Sequence, residues 1–169
     1  MKAEYGKVYT FIVNGEPVPK STMKPPRHKA AYHIVQKDPK YKRLKETWAY
    51  QKLVAESALA AGIPVFGKDD PIQLSIHIFK SGRKTGDTKN ILASIEDGLQ
   101  YGGFIPNDKQ IVKYEHVLTF YGSEDAGVMV WIGIYKCARD LSWMTGYFGS
   151  KKKAQEYYDR MVANKNRII

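Results

Sequence analysis

Apolar residues along this chain recur with two different periods, and the switches between them mark out its elements. Residues 7–13, KVYTFIV, are rich in β-branched and aromatic side chains and stop at Asn14-Gly15. That pattern predicts a strand followed by a turn. Residues 71–80 alternate: Ile72, Leu74, Ile76 and Ile78 face one way, Gln73, Ser75 and His77 the other, the period of a half-buried strand. Over residues 39–61 the period lengthens, and Tyr41, Leu44, Trp48, Ala55 and Leu59 fall on one side. Asp38 would cap this helix, Pro39 open it and Gly62 stop it. Ile91, Ile95 and Leu99 recur every four residues, predicting a second helix over 88–100, opened by Asp87 or Thr88 and closed by Gly102-Gly103. Pro106-Asn107-Asp108 turns the chain into a strand over 110–121, and residues 122–126 turn it again into a strand over 128–136. The last two strands read as an antiparallel hairpin.

Residues 16–36 fit neither period. Pro17, Pro19, Pro25 and Pro26 each fix φ and remove a donor, so an irregular loop is expected there. A basic helix over 150–164 closes the chain. The order βαβαββα describes an α+β fold, a small mixed sheet of about four strands with helices packed on it. Residues 1–137 form the expected core and 138–169 a basic C-terminal extension with a helix.

Charge adds a partner to this outline. The chain carries +10 over 169 residues, unevenly spread. Residues 1–45 hold 11 Lys and Arg against 3 Asp and Glu; residues 150–169 hold 6 against 2; the middle is slightly acidic. Two basic arms around an acidic centre suit a polyphosphate, because neutralising phosphates releases condensed counterions. Nucleic acid is the expected partner. No strongly amphipathic basic helix with bulky anchors points to a membrane surface. The single cysteine, Cys137, rules out an internal disulfide framework and fits a reducing, cytoplasmic setting. The glycines form neither a P-loop nor a dinucleotide fingerprint, so no small-molecule cofactor is expected. No His or Cys pair has structural-zinc spacing.

Chemistry concentrates between Asp87 and Asp108. Asp87 follows a strand and a basic loop and opens a helix, and Asp108 lies in a tight turn that opens the next strand; if the two strands are neighbours, the carboxylates lie at comparable edges of one sheet and suit Mg²⁺, with Mn²⁺ as an alternative. Asp87 is equally placed to be a helix cap, and Asp108 a turn residue. Lys80, Arg83 and Lys84 flank Asp87 and would hold a phosphate backbone; Lys20, Lys24, Arg27, Lys151, Lys152 and Lys153 are further phosphate contacts. His77 is a polar strand residue. Tyr101, Phe104, Trp143, Tyr147 and Phe148 either stack on unpaired bases or pack in the core or a dimer interface.

The stretch GDTKNILASIEDGLQYGGFIPNDKQI resembles the core motif of RusA-type Holliday junction resolvases. That motif runs Asp-x-Asp-Asn, a Lys three residues on, Asp-x-Leu, a Gly-Phe/Val element, then Asp-Asp-x-Gln-Ile/Val. Asp87, Asn90, Asp97, Leu99, Gly103, Phe104, Asp108, Gln110 and Ile111 match it. Residues 15–20, GEPVPK, resemble the family's proline-rich loop, and the likeness covers about residues 7–136. It implies a homodimeric, Mg²⁺-dependent endonuclease that cuts four-way DNA junctions in recombination and repair, in a phage or prophage setting within a bacterial cytoplasm. It also implies Asp87 and Asp108 as metal ligands. This chain departs from the motif at three places: Lys89 stands at the second Asp, Ala93 at the Lys, and Asn107 at the first of the late Asp pair. Two readings stay open. Either Lys89 supplies the missing lysine charge from the same helix face and Asp97, Glu96 or Asn107 completes the ligands, or the chain binds branched DNA without cutting it. RNA binding through the same basic arms is a third.

Overall fold

The computed structural model describes residues 1–27, 29–82 and 87–135, and residues 150, 152, 153, 156 and 159. The chain divides into two compact units, Met1–Tyr135 and Lys136–Ile169. In the first, the elements are β1 (Val8–Asn14), α1 (Ala31–Lys37), a 3₁₀ turn (Pro39–Tyr41), α2 (Lys42–Ala60), β2 (Ile72–Lys80), α3 (Thr88–Tyr101), a second 3₁₀ turn (Asp108–Gln110), β3 (Ile111–Tyr121) and β4 (Gly127–Ile134). The expected α+β class holds: a four-stranded mixed sheet carries three helices.

Sheet order is β1-β4-β2-β3, which corrects the expected hairpin. β4 pairs antiparallel with both β1 and β2, while β3 lies on the far side of β2 and runs parallel to it. Composition explains the exchange. β4 is apolar almost throughout, GVMVWIGI, and such a run needs neighbours on both edges. β3 exposes Val112, Tyr114, Glu115 and His116, and a polar strand is tolerated at an edge. The turn after β3 steps over the end of β2, where the Ser123 N–H donates to the Lys80 carbonyl at 3.0 Å.

Ile72, Leu74, Ile76 and Ile78 are wholly buried and join Val128, Val130 and Ile132 of β4 in one core with Ile91, Ile95 and Leu99 of α3 and Tyr50, Val54 and Ala58 of α2. Burying such side chains stabilises the fold by about 1.5–3 kcal/mol each. Two helical expectations need correction. α1 lies inside the stretch expected to be irregular; past Pro26 nothing forbids helix, and Val35 buries against Tyr41 and Leu44. The buried face of α2 is Leu44, Thr47, Tyr50, Val54, Ala55 and Ala58, whereas Leu59 is 71% exposed. Thr47 earns its buried place as a fastener for the proline-rich loop. Its hydroxyl accepts from the Ser21 N–H at 3.0 Å and lies 3.2 Å from the Pro19 carbonyl. No helix among the described residues is long and apolar enough to cross a membrane.

Candidate active site

The strict alternation of β2 continues one step past its isoleucines. Lys80 takes the fifth inward position and is 1% exposed. Its ammonium sits 5.7 Å from the centroid of the Tyr121 ring. Burial pushes its pKa below the usual lysine range, and the carboxylates of Glu16 and Asp87 pull it back up. Glu16 arrives from the turn after β1, where Gly15 adopts φ +99°, a conformation open to glycine. A carboxylate oxygen of Glu16 accepts from the Ser81 N–H at 3.1 Å. Glu16, Pro17, Lys20, Arg43, Asp87 and Asn90 line a cleft of about 580 Å³. The Lys20 N–H donates to the Asn90 carbonyl at 2.8 Å, which lays the proline-rich loop along the start of α3.

Asp87 is extended (φ −71°, ψ 134°) and caps α3, its Oδ1 accepting from the Lys89 N–H at 3.2 Å. So the capping role is real, and it leaves the exposed carboxylate facing the cleft that holds Glu16 and Asn90. Lys89 is exposed in the first turn of the same helix.

A second acidic centre lies at the other end of α3. Asp108 opens its 3₁₀ turn behind a reciprocal cap, in which Asn107 accepts from the Lys109 N–H and the Gln110 side chain accepts from the Asn107 N–H. Glu96 accepts a hydrogen bond from the Tyr114 hydroxyl. Burial raises the pKa of both groups, and the negative charge of Asp108 raises them further. Asp97 is already engaged: Lys20 Nζ lies 2.7 Å from its Oδ2, and the Gln51 amide donates to the same oxygen at 2.9 Å. A structural role for Asp97, locking loop, α2 and α3 together, accounts for its place.

The expected convergence of Asp87 and Asp108 on one sheet edge does not occur within the chain. Their strands are indeed neighbours, but they are parallel, with Ile72 opposite Ile111 and Lys80 opposite Tyr121. Asp87 follows the end of β2 and Asp108 precedes the start of β3, so they occupy opposite edges. The 14-residue helix between them spans about 21 Å at ~1.5 Å per residue. Among the described residues no group of three His, Cys, Asp or Glu side chains is close enough to hold an ion. One chain's described residues therefore do not by themselves fit a Mg²⁺ ion.

The basic residues are dispersed. Lys24 and Arg27 are exposed on the proline-rich loop, as are Lys152 and Lys153 in the second unit. Arg83, Lys84 and Lys151 lie outside the described residues, as do His28, Trp143, Tyr147, Phe148 and nearly all of the expected last helix. His77 packs edge-on to Trp131, ring centroids 4.7 Å apart, which suits a strand residue better than a ligand. Glu16 and Tyr114 were not anticipated as site groups, whereas Glu96 stood among the alternatives for a third ligand. The one available signal was Lys80, a lysine in phase with the buried Ile72, Leu74, Ile76 and Ile78, which calls for a carboxylate nearby.

A search of the curated proteins finds no match. The family model described as Endodeoxyribonuclease RusA matches residues 14–133, from the last residue of β1 almost to the end of β4.

Proposed function

The chain belongs to the RusA endodeoxyribonuclease family, and from that premise we propose that it is a divalent-metal-dependent endonuclease that resolves four-way DNA junctions as a homodimer. The observation that carries the finer reading is the separation of its acids, with Asp87 at one end of α3 and Glu96 and Asp108 toward the other. Two chains related by a two-fold axis, with their α3 helices antiparallel, would set Asp87 of one chain beside Glu96 and Asp108 of the next. That donor set is all oxygen, which suits Mg²⁺ or Mn²⁺. A bound ion would activate water and stabilise charge on the phosphodiester being cut.

The protein's own residues supply the rest. The departures at Lys89 and Ala93 take a carboxylate and a lysine from the motif positions. Lys80 restores a cation beside Asp87, held by burial rather than by helix spacing. Buried behind the cleft, it would hold the Glu16 and Asp87 carboxylates in place, while Lys24 and Arg27 hold the DNA backbone. Paired sites would cut two strands of a pseudo-symmetric junction, as recombination and repair require, in the cytoplasm of a cell or of a phage's host. The second reading, a branched-DNA-binding protein that does not cut, is favoured by one observation: a cation, Lys89, at a ligand position.

The two part on a labelled four-way junction incubated with Mg²⁺ or Mn²⁺ and, in parallel, with EDTA. Metal-dependent paired nicks that disappear in Asp108→Asn are expected of the nuclease. Tight binding without nicks under either metal would leave the binding protein. Single-stranded RNA outcompeting the junction at matched salt would point away from both.

A further inference from the structure

A second cleft, of about 610 Å³, opens on the helical side of the first unit, remote from the Glu16–Asp87 cleft in its lining. Tyr32 of α1, Trp48 and the cations Lys45 and Lys52 of α2, and Tyr101 at the end of α3 line it. The rings of Tyr32 and Trp48 are parallel, 5° between planes, with centroids 6.1 Å apart. Trp48 is half-buried against Val35, Tyr41 and Leu44, but the cleft is not core: Tyr32 is 62% and Tyr101 70% exposed. Large aromatic rings left that open beside one another mark a surface that meets a partner. Charge says which kind. Lys45 and Lys52 line the cleft, and Lys37, Lys40 and Lys42 precede Lys45 in sequence against the single acid Asp38. Aromatic faces with a cationic rim bind nucleobases by stacking and their phosphates by charge, without regard to sequence.

We propose that the Tyr32–Trp48–Tyr101 cleft is a stacking site for unpaired nucleotides of single-stranded DNA. The inference rests on the reading that DNA is the partner and adds a class of substrate to it: junctions and flaps that expose unpaired bases. The ring faces take successive bases, and Lys45 and Lys52, about 10 Å apart along α2 at ~1.5 Å per residue, take the backbone. Nothing in stacking needs the tyrosine hydroxyls, so phenylalanine serves at both positions.

The experiment is equilibrium binding of the full chain to a labelled oligo-dT strand and to a fully paired four-way junction, at several salt concentrations. Tyr32→Ala and Tyr101→Ala are each expected to weaken oligo-dT binding by roughly 5- to 100-fold and to leave paired-junction binding within about twofold. Tyr32→Phe and Tyr101→Phe keep wild-type binding, which separates stacking from misfolding. Lys45→Ala and Lys52→Ala each flatten the salt dependence by about one unit of slope. Oligo-dT binding that is unchanged in both alanine variants overturns the proposal. So does a wild-type protein that binds the junction but no single strand, a result that leaves the nuclease reading standing. Failure to bind either DNA would sink both.

Discussion

Gly98 lies where α3 crosses α2, and adding one methyl there tests the packing that sets the two acidic centres apart. A Cβ at Gly98 would stand 2.7 Å from Val54 Cβ, 2.8 Å from Val54 Cγ1 and 2.9 Å from the Gln51 carbonyl oxygen. Contacts between non-bonded carbons are most favourable at about 3.5–4.0 Å. Neither the carbonyl oxygen nor Val54 Cβ can rotate away, so the helices must part. Gly98→Ala gains about 0.8–1 kcal/mol of helix propensity and loses about 1–3 kcal/mol to overpacking. The loss falls at the upper end of its range because two of the three clashes involve fixed atoms. A net destabilisation of about 1–2 kcal/mol follows, a fall of roughly 3–6 °C in Tm for a chain of this size. Urea denaturation followed by circular dichroism should show a lower midpoint at an unchanged m-value. The strain also pulls Gln51 from Asp97, a bond of 2.9 Å. A variant as stable as the wild type, or more stable by the full propensity gain, would refute the close crossing of α2 and α3.

Other expectations are as direct. Lys80→Met should destabilise the fold by roughly 1–3 kcal/mol by leaving Glu16 and Asp87 without their buried cation, and adding Glu16→Gln should recover part of the loss, a coupling that a double-mutant cycle measures. Lys89→Asp should raise junction cleavage at limiting Mg²⁺ on the order of tenfold, since it replaces a cation beside Asp87 by a further ligand; a fall would give Lys89 a working role. Lys24→Ala and Arg27→Ala should each reduce the slope of log affinity against log salt by about 1, uniformly across DNA sequences, as contacts to phosphate rather than to bases would.

Periodicity made β1, β2 and α3 legible, because apart from Lys80, Ser94 and Gly98 their buried positions are also the apolar ones. It failed on α2, where Trp48, Leu53 and Leu59 lie outside the buried face and Thr47 lies within it. There the hydrophobic core takes in Tyr50, Val54 and Ala58, and a hydrogen-bonded loop covers Thr47. Strand partners were not legible either: a short turn at 122–126 suggests a hairpin, and only the contrast between an apolar β4 and a polar β3 shows that β2 must lie between them. For the candidate site, residue types in motif order single out Asp87 and Asp108, but spacing along the chain says nothing of which ends of a parallel βαβ unit they occupy. The Glu16–Lys80 pairing joins residues 64 positions apart in sequence, beyond the reach of any local pattern.

The proposal of a metal site shared by two chains is tested most directly by heterodimers. Asp87→Asn and Asp108→Asn chains, carrying different tags and purified as a mixed pair, contain one intact Asp87–Asp108 combination across the interface and one doubly altered one. Each homodimer should bind a four-way junction and leave it uncut in Mg²⁺, while the heterodimer should regain nicking at about half the wild-type rate, one strand per binding event. A heterodimer as inert as its parents, beside a wild-type protein that cuts, would contradict a site built from two chains.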